Sequence, residues 1–299
     1  MHEGILDPEL VRVAIVGGGP IGLEAALYAR FLGYAAIVLE QQATIGAVDR
    51  QREPQDWAGS WSESTTPLGL AAIDSQSGRE SSLAVSPPTT WSAYVAEYLG
   101  PLSQTDLVAD SLKLGHRVVG VRPASDAELL SPAGDAELDE ELNGPSLELP
   151  WGGLAPEDRE WTDRPWCVTT VDLAGRTSES WFDCVIDASG TGSAGTGPDW
   201  SWYGDLPLTL DPTTLALPLL AACGLTAEHA VRWSDVSSQM PLGGGGALSL
   251  GHPGLFVLGS KSYGRTSQFQ FVDGYAQIRE LFAWLGGRGQ LDLYRSVRR

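Results

Sequence analysis

Residues 12–40, RVAIVGGGPIGLEAALYARFLGYAAIVLE, constrain the fold of this chain more than any other stretch. A short apolar run leads into three consecutive glycines, a segment with helical spacing of apolar residues follows, and a second apolar run ends in an acid. This order predicts a β-strand, a tight turn, a helix and a second, parallel strand. The chain is therefore predicted to be an α/β protein whose parallel sheet is buried beneath helices.

Three glycines, Gly17, Gly19 and Gly22, form the pattern G-x-G-x-x-G between the first strand and the helix. The first glycine permits a tight turn, the second lets the backbone approach a pyrophosphate, and the third lets helix and strand pack closely. Glu40 ends the second strand, where a carboxylate can accept the hydroxyls of a ribose. The pattern predicts a dinucleotide site, with a glycine turn that binds nothing as the alternative. It leaves FAD and NAD both open.

Later stretches continue the alternation of strands and helices. HRVVGVRP (116–123) predicts a strand, and WCVTTVDLAGRTSESWFDCVIDASG (166–190) predicts a hairpin followed by a buried strand. GLFVLGS (254–260) predicts another buried strand, and VDGYAQIRELFAWLGG (272–287) predicts an amphipathic helix that ends at glycine. Together these elements are enough to complete a Rossmann-like domain.

Three motifs resemble those of flavoproteins with two dinucleotide domains, the superfamily of flavin-containing monooxygenases and thioredoxin reductase-like enzymes. They are GGGPIGLEAA (17–26), FDCVIDASGTG (182–192) and the segment 254–281. The resemblance implies bound FAD in a three-layer, Rossmann-like FAD-binding domain with a small loop-rich cap. It implies these cofactor-binding residues: Gly17, Gly19, Pro20, Ile21, Gly22, Glu40, Val119, Ala188, Ser189, Gly190, Gly259, Ser260, Asp273 and Gly274.

The chain departs from that family at two places. Many relatives carry Gly-Asp in the third motif, whereas here Gly259 is followed by Ser260, whose hydroxyl can bond a ribityl chain without adding charge. Relatives also place an NADPH domain between the second and third motifs, but the stretch from Gly192 to Gly254 is too short for one and has no second glycine fingerprint led by a strand. We therefore expect weak NADPH binding.

The domain organisation follows from these motifs and from composition. Residues 123–165 are rich in acids, which predicts a solvated surface insertion, and residues 193–250 are rich in Gly, Pro, Ser and Trp, which predicts a loop-rich cap. The predicted FAD core consists of the three remaining segments, 10–122, 166–192 and 251–290.

Candidates for the chemistry follow the last predicted strand. Lys261, Tyr263 and Arg265 are predicted to lie near the flavin, where a cation could stabilise the negative charge of the reduced ring and a tyrosine could cover it. A surface lysine and arginine and a core tyrosine are the alternatives. Asp273 opens the last predicted helix together with Gly274, and capping of that helix is the favoured interpretation of Asp273.

Composition excludes several classes of function. A formal net charge of -19 argues against nucleic-acid and anionic-membrane partners, because phosphates would be repelled. Three cysteines without a C-x-x-C pair indicate a reducing compartment, and with no signal pattern or apolar span we predict a cytoplasmic protein. The four histidines have no partners at ligand spacing, so no metal site is predicted.

The predicted function is that of an FAD-dependent oxidoreductase, monooxygenase-like, acting on a small-molecule substrate. Its flavin would be reduced by substrate, by free nicotinamide cofactor or by an external redox partner. Two alternatives are open. One is a non-enzymatic FAD-binding module, which the short cap and Ser260 favour, and the other is an NAD-binding dehydrogenase that uses the first motif alone.

Overall fold

The computed structural model of the chain describes most of the predicted core. The described residues are 11–47, 60–78, 90–125, 165–190, 201–204, 206, 250, 252, 254–263, 269–286 and 291–296. Most of the predicted acidic insertion and most of the predicted cap lie outside these ranges, and the proposed division into domains therefore stays a prediction.

Five parallel strands form the central sheet in the spatial order β3-β2-β1-β7-β8. These strands are short and largely apolar, as expected when both faces of a parallel sheet are covered. Their bounds are β1 (Arg12–Val16), β2 (Ala35–Glu40), β3 (Leu112–Leu114), β7 (Cys184–Asp187) and β8 (Leu255–Val257). The predicted βαβ unit is thus confirmed, while β3 was not predicted.

Three antiparallel strands form a second sheet in the order β4-β5-β6. They are β4 (Arg117–Pro123), β5 (Trp166–Val171) and β6 (Thr177–Phe182), and the last two form the predicted hairpin. The register of β4 against β5 shifts between Val118 and Gly120, so Val119 has no opposite residue. Such a bulge leaves one residue out of the ladder.

The antiparallel sheet covers one face of the parallel sheet, and helices cover the other face. They are α1 (Pro20–Phe31), α2 (Trp61–Ser64), α3 (Pro67–Ser77), α4 (Trp91–Tyr94), which continues through a π-helical turn (Val95–Leu99) into α5 (Gly100–Ser103), then α6 (Asp106–Ala109), α7 (Phe271–Leu285) and α8 (Leu293–Ser296). The last long helix begins at Phe271, two residues before Asp273. Among the described residues, no helix is long and apolar enough to cross a membrane.

Two hydrophobic clusters lie on either side of the parallel sheet, because successive residues of a strand point to opposite faces. Val13 and Ile15 of β1 belong to the cluster beneath the helices, whereas Ala14 and Val16 belong to the cluster beneath the antiparallel sheet. The molecule therefore has three layers, and the predicted α/β fold class is confirmed.

Candidate functional site

The strand order places a topological switch point at the carboxyl ends of β1 and β7, where open α/β sheets form a crevice. The crossover from β1 leads to β2 on one side, while β7 pairs with β1 on the other. Ligands of open α/β sheets bind outside such a switch point. The segments that meet there are the glycine turn after β1, the loop Ala188–Gly190 after β7, and the turn that begins at Gly259 after β8.

Two glycines of the turn are required by packing. Gly17 has a φ of 103°, and a Cβ built on it would lie 2.8 Å from the carbonyl oxygen of Ala188 and 2.8 Å from the Cα of Ser189. A Cβ on Gly22 would lie 1.8 Å from the carbonyl oxygen of Gly17. Any side chain at either position would push α1 or the loop after β7 out of place.

The middle glycine differs from these two. Gly19 is the N-cap of α1, with an ordinary φ of -76°, and a Cβ built on it would meet no heavy atom within 4 Å. Pro20 occupies the first turn of the helix, and no side chain caps the helix N-terminus. Helix N-termini present N–H groups and partial positive charge. The space in front of Gly19 therefore suits a phosphate.

Glu40 is fixed beside the same turn by two backbone groups. The N–H of Gly18 donates to its Oε2 and the N–H of Gln42 donates to its Oε1, each at 2.7 Å. The side chain of Glu40 is partly exposed, and a carboxylate oxygen can accept more than one hydrogen bond. The sequence pattern predicted the position of this acid, but its attachment to Gly18 became visible only in the structure.

A cleft of about 510 Å³ lies along β4, on the side of the bulge at Val119. Its lining includes Val119, Val121 and the segment Ser201–Gly204, with Trp202 and Tyr203 as its aromatic members. The strand begins next to Glu40, because the N–H of His116 donates to the backbone carbonyl of Glu40. A strand advances about 3.3 Å per residue. Val119 follows His116 by three residues, so Val119 lies within about 10 Å of His116, which is bonded to Glu40 at the end of β2.

The turn after β8 packs closely against α1 and α7. A Cβ built on Gly259 would touch Ile21 at 3.3 Å, and one built on Gly274 would come within 2.3 Å of the Ile21 Cδ1. The N–H of Gly259 donates to Oε1 of Gln277 at 2.7 Å. A Cβ on Gly190 would lie 3.5 Å from Oγ of Ser260, so the loops after β7 and β8 are neighbours.

Lys261 is buried rather than exposed, which excludes the surface lysine considered above. Its Nζ lies 2.5 Å from Oδ2 of Asp187, and both side chains are 0% exposed. The hydroxyl of Tyr203 donates to the same oxygen at 2.8 Å, and Ser189 Oγ donates to Oδ1 at 2.7 Å. The ammonium also lies 4.6 Å from the ring centroid of Trp202. The cluster is an ion pair enclosed by hydroxyls and aromatic rings.

The remaining predicted residues after the last strand are Tyr263, Arg265 and Asp273. The backbone of Tyr263 ends the 3-10 turn Gly259–Tyr263. Arg265 lies outside the described residues. Asp273 is the third residue of α7, and its Oδ2 accepts a hydrogen bond from the N–H of Gln270, the N-cap, at 2.9 Å. Burial raises the pKa of Asp273, and this hydrogen bond opposes the rise.

Sequence reasoning missed two buried acids. Asp187 ends an otherwise apolar strand, and Glu24 interrupts the apolar first turns of α1. Charged residues are almost never fully buried unless they have partners. An acid in an otherwise apolar run therefore indicates a buried charge that needs a partner. The partners of both acids come from distant parts of the chain, and they were invisible to pattern analysis.

Among the described residues, no group of three histidine, cysteine or acidic side chains is arranged to hold a metal ion. No protein-family model matches the chain, and no curated protein matches it.

Solved structures with a similar backbone include three oxidoreductases. Ornithine hydroxylase from Pseudomonas aeruginosa is 12% identical over 60% of this chain and 39% of its own, with a TM-score of 0.38. A flavin-containing monooxygenase from Stenotrophomonas maltophilia is 18% identical over 60% and 38%, with a TM-score of 0.33. Bacillithiol disulfide reductase from Bacillus cereus is 11% identical over 93% and 99%, with a TM-score of 0.49.

These neighbours are of the kind that the sequence motifs resemble. The chain spans about two fifths of the length of the hydroxylase and of the monooxygenase. All three TM-scores lie below 0.5 and all three identities below 20%. The likeness is one of backbone arrangement alone.

Proposed function

We propose that the chain binds FAD at the crevice between β1 and β7. The observation that carries this proposal is the open space in front of Gly19, at the N-terminus of a 12-residue helix. Gly17 and Gly22 are needed for packing, but the fold itself gives no reason for a glycine at position 19. Close approach of a pyrophosphate supplies that reason.

The other residues of the site match the parts of an extended dinucleotide. Glu40 offers its carboxylate oxygens to the hydroxyls of the adenosine ribose. The bulge at Val119 leaves backbone polar groups without a ladder partner, and the adjoining cleft offers room for the adenine. Ser189, Gly190 and Ser260 belong to the neighbouring loops after β7 and β8, and they are the residues that would receive the flavin half.

We further propose a monooxygenase-like oxidoreductase that acts on a small molecule. A bound flavin supplies the redox chemistry, and the protein supplies binding, orientation and electrostatics. The glycine turn would hold the phosphates, and Ser260 would offer a hydroxyl to the ribityl chain. Tyr263 and Arg265 are candidates for contact with the ring.

The Gly19→Val variant tests the site. Because Gly19 has an extended backbone and free space around its Cβ position, the variant should fold with an unchanged unfolding midpoint. It should nevertheless purify without flavin, since the valine occupies the place of the pyrophosphate. Gly22→Val is the matched comparison, and it should fail to fold because its Cβ meets Gly17. A yellow, fully loaded Gly19→Val protein would contradict the proposal.

A second experiment separates the proposed oxidoreductase from the two alternatives. The cofactor released on denaturation is identified, and the bound flavin is then exposed anaerobically to NADH, NADPH and reduced redox proteins. An oxidoreductase shows bleaching of the visible flavin band with at least one donor. A non-enzymatic module keeps its flavin oxidised throughout, and an NAD-binding dehydrogenase releases no flavin at all.

A further inference from the structure

The ion pair between Lys261 and Asp187 connects the two loops that border the candidate flavin crevice. Asp187 is the last residue of β7, immediately before Ala188 and Ser189, which pack against Gly17. Lys261 comes two residues after Gly259, which packs against Ile21 at the start of α1. One charged contact thus links the segment that touches the glycine turn with the segment that touches the helix behind it.

Both members of the pair make further contacts within the cluster. Lys261 Nζ donates to Asp187 Oδ2 and, at 3.2 Å, to Ser189 Oγ. Asp187 also accepts from the Tyr203 hydroxyl and from the N–H of Ser189, the latter at 3.1 Å. The Trp202 ring covers the ammonium. The positive charge of Lys261 is therefore neutralised at its source by Asp187.

We infer that Lys261 is a positioning residue that holds the loops after β7 and β8 in register around the flavin, and that its charge does not act on the ring. This inference rests on the proposed function. A buried ion pair contributes little to stability compared with apolar residues of similar size, because desolvation offsets the attraction. Its effect is instead expected in the geometry of the crevice that the two loops form.

Three variants test the inference: Lys261→Met, Asp187→Asn and the double variant. Each single change leaves one buried charge without its partner and should lower the unfolding midpoint of the apo-protein. The double variant removes both charges, so its apo-protein should unfold close to the wild-type midpoint. It still lacks the link between the loops, and its FAD affinity in a fluorescence titration should remain lower by about tenfold or more.

The midpoint potential of the bound flavin separates positioning from direct electrostatic action. With saturating FAD, the double variant should keep the wild-type potential, because a neutral pair has been replaced by neutral residues. A clearly more negative potential would mean that the Lys261 charge acts on the ring, which would overturn the inference. Wild-type FAD affinity in the double variant would equally overturn it, since the pair would then serve the fold alone.

An exposed ion pair provides the matched control. Arg176 and Asp172 are 2.6 Å apart in the turn between β5 and β6, and the Arg176 side chain is 84% exposed. Arg176→Met with Asp172→Asn makes the same change of charge away from the crevice, and it should alter neither FAD affinity nor potential. A wild-type protein that binds no FAD would overturn the proposed function itself, an outcome distinct from unchanged binding in the Lys261 and Asp187 double variant.

Discussion

The two faces of the parallel sheet bury their acids in opposite ways. Asp187, on the face beneath the antiparallel sheet, has a lysine as its partner. Glu24, on the face beneath the helices, is also 0% exposed, but it accepts hydrogen bonds from neutral hydroxyls, including those of Thr66 and Tyr98. The first acid is held as part of an ion pair, whereas the second is held by neutral donors.

The difference shows in the pKa of Glu24. Burial raises this pKa to about 7, and the hydrogen bonds from Tyr98 and Thr66 only partly oppose the rise. A carboxyl group with neutral donors is protonated over much of the pH range in which an ordinary glutamate is charged. The comparison teaches that burial raises the pKa of an acid held by neutral donors, and that a cation partner distinguishes the cluster around Asp187.

The largest effect is expected from breaking the ion pair on one side only. Asp187→Asn leaves the Lys261 ammonium buried without a counter-charge, and the free energy of unfolding should fall by about 3–5 kcal/mol. Urea denaturation of the apo-protein measures this loss. A change below about 1 kcal/mol would fall in the range of exposed ion pairs and would contradict the buried environment.

The second prediction concerns Glu24 and pH. Its pKa is higher in the folded state than in the unfolded chain, so its stabilising contribution is fully present below about pH 4.5 and declines until about pH 7. Over this window the free energy of unfolding should fall by about 3 kcal/mol. Glu24→Gln should remove that slope, as measured by urea denaturation at pH 5 and pH 8.

The control for this pH dependence is Glu97→Gln, since Glu97 is exposed in the π-helical turn. This variant should keep the wild-type difference between pH 5 and pH 8. An equal slope in the wild type and in Glu24→Gln would mean that Glu24 keeps the same proton affinity in the folded and unfolded states.

The third prediction compares the two tyrosines that donate to these acids. Tyr203→Phe removes a donor from Asp187 in its ion pair, and it should cost about 1.5–3 kcal/mol at pH 8. Tyr98→Phe should cost a similar amount at pH 8, but only about 0.5–1.5 kcal/mol at pH 5, where Glu24 is protonated. Urea denaturation measures both costs, and an equal cost of Tyr98→Phe at the two pH values would contradict the raised pKa of Glu24.

The smallest effect on the fold is expected at a third acid, Glu40, which is partly exposed beside the glycine turn. Glu40→Ala should leave the core packing intact. It should lower FAD affinity at least about tenfold by removing charged acceptors for the ribose hydroxyls. FMN, which lacks that ribose, should bind as it does to the wild type. Parallel titrations measure both affinities, and equal losses for the two flavins would place Glu40 elsewhere in the site.

Much of the architecture was present in the sequence. The apolar runs and the glycine pattern at Gly17, Gly19 and Gly22 predicted the βαβ unit, the hairpin and the last strand, because local periodicity and turn chemistry specify such elements. The short strand β3 was missed because three residues carry too little pattern. Asp273 was expected to open or cap the last helix, but α7 begins two residues earlier, because Gln270 is the N-cap and is not a common residue at that position.

The sequence by itself determined which residues form the turn, the helix and the carboxylate of the candidate site, because these follow one another within residues 12–40. Only the tertiary structure decided the partners of the buried charges. Asp187 and Lys261 are separated by 74 positions along the chain, as are Glu24 and Tyr98. Such contacts form because the sheet brings distant segments together. Hydrophobic periodicity is a property of a local window of sequence, so it carries no information about side-chain pairs at that separation.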